Sequence, residues 1–149
     1  MTCEILTLAE LAASGSTALF VRNKLTKKNS DFQWKLTRLL HGDAPAGEHD
    51  GHIALVFDHG EIVGWARTEY WTAGSDGFAA YDTLEAFVAP DYRLRGVAAF
   101  AASGLYASVL HDSGATVAVF HPHMLLVARR AGFFPVLFDK NPRGEWVRA

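Results

Sequence analysis

The chain predicts a mixed α/β fold of the α+β type, on three observations. Two strand-like runs, residues 53–57 and 62–65, flank Asp58, His59, Gly60 and Glu61, the pattern of a tight hairpin. A third run, residues 81–88, is closed by Pro90 and leads directly into a helical stretch. A strand, a helix and a further strand then follow, so helices and strands alternate only in the second half.

The elements read in order as follows. Residues 2–7 suit a short first strand. From Leu8 to Leu25 the apolar residues Leu8, Leu11, Ala12 and Leu19 keep helical spacing, broken at Ser14, Gly15 and Ser16. This stretch reads as two helical pieces with a basic end at Lys24, Lys27 and Lys28. Asn29, Ser30 and Asp31 suit a helix cap, after which Phe32, Leu36, Leu39 and Leu40 share one face. Residues 42–51 are polar and rich in Gly and Ala, a loop. The hairpin follows, its second arm extending toward Trp71, and residues 72–77 form another turn. Residues 96–111 are helical, with a surface of small residues (Ala98, Ala99, Ala101, Ala102, Ser103 and Gly104) that permits close approach to a sheet or a ligand. Residues 116–120 form a short buried strand. Residues 124–131 form a helix stopped by Gly132. Residues 133–138 form a strand with which residues 145–147 can pair.

Composition narrows the function. With 149 residues, 50% of them hydrophobic, the chain suits one domain with a full core, and disorder is excluded. Fourteen basic against sixteen acidic residues leave a net charge of −2, without the basic excess of a nucleic-acid binder. Cys3 is the only cysteine, so neither an internal disulfide nor a cysteine-built zinc site can form. The start lacks a basic leader and no apolar run reaches membrane-spanning length, so a cytoplasmic protein that contacts no membrane is expected. His121 and His123 flank Pro122, which suits the start of a helix. Two local ligands do not make a metal site, and no metal is expected.

The chemistry concentrates in residues 84–98. A strand ends at Pro90 and a turn carries Arg93, Leu94, Arg95 and Gly96 into a helix beginning with Val97 and Ala98. Such a turn directs several free backbone N–H groups at one point, where the helix dipole adds partial positive charge. A pyrophosphate fits there, provided that small residues such as Gly96 and Ala98 let it approach.

With its surroundings, this motif resembles the acetyl-CoA pyrophosphate loop of the GNAT (Gcn5-related N-acetyltransferase) superfamily. Val88, Pro90, Tyr92, Arg93, Gly96 and Ala98 match the loop, and Arg130, Ala131, Gly132 and Phe133 match a downstream helix end. Gly64, in the second hairpin arm, fits the family's central strands. The resemblance covers residues 53–138. It implies a single domain over residues 1–149, with a mainly antiparallel sheet splayed where the strand ending at Val88 parts from residues 116–120, and helices on both faces. It implies acetyl-CoA as cofactor and transfer of the acetyl group to a primary amine, carried by a small molecule or a peptide, by direct attack. A non-catalytic acyl-CoA-binding or protein-interaction module is the alternative, and a homodimer stays open.

The resemblance also assigns residues. The amides of residues 93–98 (Arg93, Leu94, Arg95, Gly96, Val97 and Ala98) would hold the pyrophosphate, with Phe87, Val88 and His121 along the same cofactor site. The Val88 N–H would stabilise the oxyanion. An attacking amine must be neutral, so a base is needed, and Glu85 or Asp82 is the candidate. Three residues apart, they point to opposite faces of a regular strand, whereas the family often bulges this strand. Glu85 is favoured because Leu84 and Ala86 flank it. The family's general-acid tyrosine falls at Ala128, and its usual asparagine at His121. Tyr92, Tyr106 and His121 are the substitutes within reach of the sequence. Trp65, Tyr70 and Trp71 suit either the core or an acceptor groove.

Overall fold

A computed structural model describes residues 1–14, 31–42, 51–71, 81–110, 117–118, 122–133, 138–140 and 146–148. The strands are β1 (Thr2–Thr7), β2 (His52–Asp58), β3 (Glu61–Trp71), β4 (Tyr81–Val88), β5 (Val117–Ala118), β6 (Phe138–Lys140) and β7 (Trp146–Arg148). The helices are α1 (Leu8–Ala13), α2 (Asp31–Leu40), α3 (Val97–Leu105) and α4 (Pro122–Arg130). Pro122 opens α4 as its position suggests. The lysines at 24, 27 and 28 lie outside the described residues, as does His121.

The main sheet has the order β1-β2-β3-β4-β5. Its first four strands pair antiparallel and β5 joins β4 in parallel. A separate antiparallel pair, β6 and β7, runs from Phe138↔Arg148 to Lys140↔Trp146, one residue later than residues 145–147 suggest. The β2–β3 turn has positive φ at both His59 (49°) and Gly60 (78°), which matches the right-handed twist of the flanking strands. The register shifts between Val56 and Phe57, leaving Val63 as the extra residue of a bulge.

Because cross-strand partners share a face, each side of the sheet can be assigned. Leu55, Trp65 and Phe87 are aligned on one side and meet α1 and α2 through Leu8, Leu11, Phe32 and Leu36. Ala54, Ala66, Leu84 and Ala86 lie on the other, under α3 and α4 through Val97, Ala101, Ala102, Leu105 and Ala128. The small residues of α3 do permit close approach. A Cβ on Gly104 would come within 2.9 Å of the Cys3 sulfur.

Two helix ends follow from short sequence signals. Thr7 caps α1, accepting from the Glu10 N–H while Glu10 accepts from the Thr7 N–H, both at 3.1 Å. These bonds from Thr7 hold the Glu10 carboxyl below its ordinary range. This part of the cap is complete above the ordinary glutamate range and is lost as pH falls through the lowered value. At the end of α4, the Phe133 N–H reaches the Ala128 carbonyl and the Gly132 N–H reaches that of Arg129, with Gly132 at φ 105°. That pair of bonds is a Schellman turn, and it is what the Gly132-Phe133 signal encodes. Among the described residues no helix is long and apolar enough to cross a membrane.

Candidate functional site

β4 borders the site. Its pairing with β5 is confined, among the described residues, to Asp82↔Val117 and Thr83↔Ala118. From Leu84 to Val88, β3 is its pairing partner among the described residues. The Ala89 N–H donates to the Val63 carbonyl at 2.9 Å, and the β3–β4 register is unbroken from Gly64↔Val88 to Trp71↔Tyr81. Hydrogen-bonded positions alternate in such a ladder, so the N–H and carbonyl of Val88 turn away from β3, toward the edge of β4 on which β5 pairs. The Val88 carbonyl accepts from Arg93 Nε at 3.1 Å, as that direction requires.

A short 3₁₀ turn, Pro90–Tyr92, then carries the chain to α3. Leu94 and Gly96 both take positive φ, 63° and 78°, and Gly96 occupies the N-cap without a capping side chain. The first helical bond runs from the Phe100 N–H to the Gly96 carbonyl. Among the described residues, the amides from Leu94 to Ala99 therefore have no backbone acceptor, and the first turn carries no acidic residue. Among the described residues, a Cβ on Gly96 would meet nothing within 4 Å, so the turn itself is uncrowded at that point. These residues fit a pyrophosphate: free donors, an unopposed helix dipole and an uncrowded turn.

The loop is braced from three sides. The Arg93 guanidinium lies 5.9 Å from the Phe87 ring centre, and that of Arg95 lies 5.4 Å from the Tyr92 ring. Tyr92 hydrogen-bonds Asp58 at the hairpin tip, which raises its phenol above the ordinary range. Beneath the loop, a Cβ on Gly64 would come within 2.7 Å of Val97 Cγ1 and 3.0 Å of the Phe87 carbonyl. Glycine at 64 is what allows α3 to start this close to the sheet.

The expected catalytic groups separate. Of the two alternatives left open for β4, its pairing with β3 shows the regular strand, and among the described strands the register shift lies between β2 and β3. Asp82 and Glu85 thus sit on opposite faces, Glu85 on that of α1 and α2. The apolar residues flanking Glu85 in sequence belong to the other face, and what Glu85 meets is an arginine. Arg67 Nε donates to Glu85 Oε1 at 2.6 Å, and Arg67 Nη2 bonds Glu69 Oε2 at 3.1 Å. Lys35 Nζ, from α2, bonds the other oxygen of Glu69 at 2.7 Å. The Arg67 side chain is only 4% exposed, against 47% for Glu85. The sequence reading passed over this chain of charges. Its signal was there, in Arg67 and Glu69 alternating along an otherwise apolar run.

Trp65 belongs to the core, its ring 4.7 Å from Phe32 and 6.3 Å from Phe87. The side chains of Tyr70, Trp71 and Asp82 lie outside the description. Ala128 is 6% exposed and packs against α3. Tyr106 stands edge-on to Phe133 at 5.0 Å. Burial pushes the Cys3 thiol up, which disfavours a thiolate nucleophile. No group of His, Cys, Asp and Glu that could hold a metal is found among the described residues.

No family model and no curated protein sequence matches the chain. Solved structures do. An aminoglycoside 6'-N-acetyltransferase from Acinetobacter haemolyticus superposes with a TM-score of 0.58 at 18% identity, over 95% of this chain and 99% of its own. A glucosamine-6-phosphate N-acetyltransferase from Arabidopsis thaliana gives 0.54 at 13% identity, over 95% and 97%. A predicted acetyltransferase from Clostridium acetobutylicum, solved with acetyl-CoA, gives 0.52 at 14% identity, over 90% of each chain. With its mainly antiparallel sheet, the parallel strand beside β4 and the amide-lined loop, the chain has the fold of the GNAT acetyltransferases, as its loop motif implies.

Proposed function

We propose that residues 1–149 act as one acetyl-CoA-dependent N-acetyltransferase domain, moving an acetyl group to a primary amine by direct attack. The observation that carries this is the row of amides, Leu94 to Ala99, that have no backbone acceptor among the described residues, just past the end of β4. A structural neighbour solved with acetyl-CoA supports the same cofactor here. Neighbours named for aminoglycosides and for glucosamine-6-phosphate support a small-molecule amine as the acceptor.

Acetyl-CoA supplies the thioester. The amides of Leu94 to Ala99, with Arg93 and Arg95 beside them, hold its pyrophosphate, and the end of β4 receives the acyl arm. The Val88 N–H donates to the thioester oxygen as negative charge grows there. Glu85 takes the proton from the amine. At about 3.3 Å per residue it stands roughly 10 Å along β4 from Val88, so the proton travels through water. The departing thiolate, with a cysteine-like pKa of about 8.5, leaves without strong acid assistance. Loss of a general acid costs about 10²–10⁴-fold in rate, which slows such an enzyme without abolishing it.

One observation favours a second reading, a non-catalytic acyl-CoA-binding module: buried Ala128 occupies the position where the loop's relatives carry a tyrosine. A calorimetric titration with acetyl-CoA, then with CoA, tests both. Micromolar binding of each ligand is expected, followed by thiol release on addition of an amine. Binding without release for any amine leaves the second reading. No binding at millimolar ligand overturns both.

A further inference from the structure

We infer that Arg67 is a positioning residue, holding the Glu85 carboxylate in the orientation that proton transfer requires; this rests on the reading of Glu85 as the base. Arg67 and Glu85 are direct partners across β3 and β4, so the pair is built on two hydrogen-bonded strands. The guanidinium is held through two of its three nitrogens and across one face. Its Nε holds Glu85, its Nη2 holds Glu69, and the Phe32 ring lies 4.3 Å from its centre. Glu69 is in turn held by Lys35, so α2 supports the arrangement twice, through Phe32 and through Lys35. Glu85 is the most exposed member of the chain, at 47% against 29% for Lys35, 19% for Glu69 and 4% for Arg67. A buried, rigid arm therefore ends in one carboxylate open to solvent, and among the described residues Glu85 has no partner besides Arg67.

Stability alone does not account for this arm. Replacing a buried ion pair with apolar residues of similar size is often neutral or stabilising. Arg67 Nη1 is moreover buried and has no hydrogen-bond partner among the described residues, a cost that an apolar residue would not carry. What an apolar residue cannot do is aim Glu85. A guanidinium fork binds carboxylates in a fixed geometry, which a lysine ammonium does not reproduce.

The test is a cycle of Arg67→Met, Glu85→Gln and the double variant, with Arg67→Lys beside them. Thiol release from acetyl-CoA is followed with n-butylamine, glucosamine and glycylglycine as acceptors. We expect Arg67→Met to lower kcat about 10–100-fold, the cost of a misplaced reacting group. KM for acetyl-CoA stays within about twofold, Arg67→Lys loses less than Arg67→Met, and the double variant is no slower than Glu85→Gln alone. Should Arg67→Met fail to fold, Arg67→Lys and its double variant carry the same comparison.

Losses that multiply in the double variant make Arg67 a structural residue and overturn the assignment. A wild-type kcat in Arg67→Met, with Glu85→Gln impaired, overturns it while leaving Glu85 as the base. A wild-type kcat in Glu85→Gln overturns the base and the positioning together. A wild-type protein that binds acetyl-CoA but acetylates none of the three amines overturns the catalytic reading, and this inference with it.

Discussion

Gly96→Asp combined with Ala98→Asp weakens binding of acetyl-CoA and of CoA on the order of 100-fold or more, while the protein stays folded. Gly96 sits at φ 78° in an uncrowded turn, so a side chain there projects into the volume that the phosphates would fill. Aspartate is among the residues best able to adopt this left-handed conformation, so strain alone does not unfold the loop. Its carboxylate, and the one at position 98, face the free amides of Leu94 to Ala99 and satisfy them internally. They also repel a pyrophosphate at close range, which costs several kcal/mol. At 1.4 kcal/mol per tenfold, Kd rises on the order of 100-fold or more. Calorimetry measures the affinity, and circular dichroism with thermal unfolding verifies the fold. Unchanged affinity would remove the loop from the function altogether.

The second large effect is on turnover. Glu85→Gln keeps the size and shape of the side chain, and its carbonyl can still accept from Arg67 Nε. It removes the charge that takes up the proton. A fall in kcat of about 10²–10⁴-fold is expected, with affinity for acetyl-CoA unchanged, because Glu85 lies on the α1 and α2 face of β4, away from the α3 amides. Steady-state kinetics with a saturating amine decides it. The sharpest contrast is between acceptors: a lysine-type amine, with pKa near 10.4, needs the base more than a peptide N-terminus, with pKa near 8, and should lose more.

Much of this was legible in the sequence because local physics decides it. The Asp58–Glu61 turn, the strand over residues 81–88 and the helix after Gly96 each rest on neighbouring residues; the turn and the strand form as read, whereas the helix read over 96–111 is α-helical only over Val97–Leu105 and passes into a π-helical stretch, Tyr106–Leu110. The loop was legible for the same reason, since its donors are backbone amides whose direction follows from a strand, a glycine and a helix in succession. The Thr7-x-x-Glu10 cap was equally local, yet it was overlooked in favour of the longer helical spacing that follows.

The face that carries Glu85 was read less well, because it depends on which strand lies beside which. Leu84 and Ala86 look like the surroundings of Glu85 only along the chain. Across the sheet its neighbour is Arg67, eighteen residues earlier, and only the register could reveal that. The choice between Asp82 and Glu85 likewise waited on whether β4 bulges. A sheet puts its irregularity where packing needs it, here beside Val63, and strand periodicity alone does not say which strand that is.

The way the sheet is wired has a consequence for how the molecule assembles. β2 and β3 are joined by a two-residue turn and β4 follows β3, all antiparallel, whereas β5 reaches its place beside β4 only after the chain has traversed α3. Closing short loops is fast and costs little entropy; a parallel pairing across a crossover must wait until that longer loop is closed. The β2–β4 meander can therefore form first and serve as the template, with the β4–β5 seam as a later addition. The cleft that would receive a cofactor is bordered by the contact last made and most easily undone. Amide exchange should be slowest along β2 and β3 and faster at Val117 and Ala118. A molecule built in this order can breathe at its cleft without loosening its foundation.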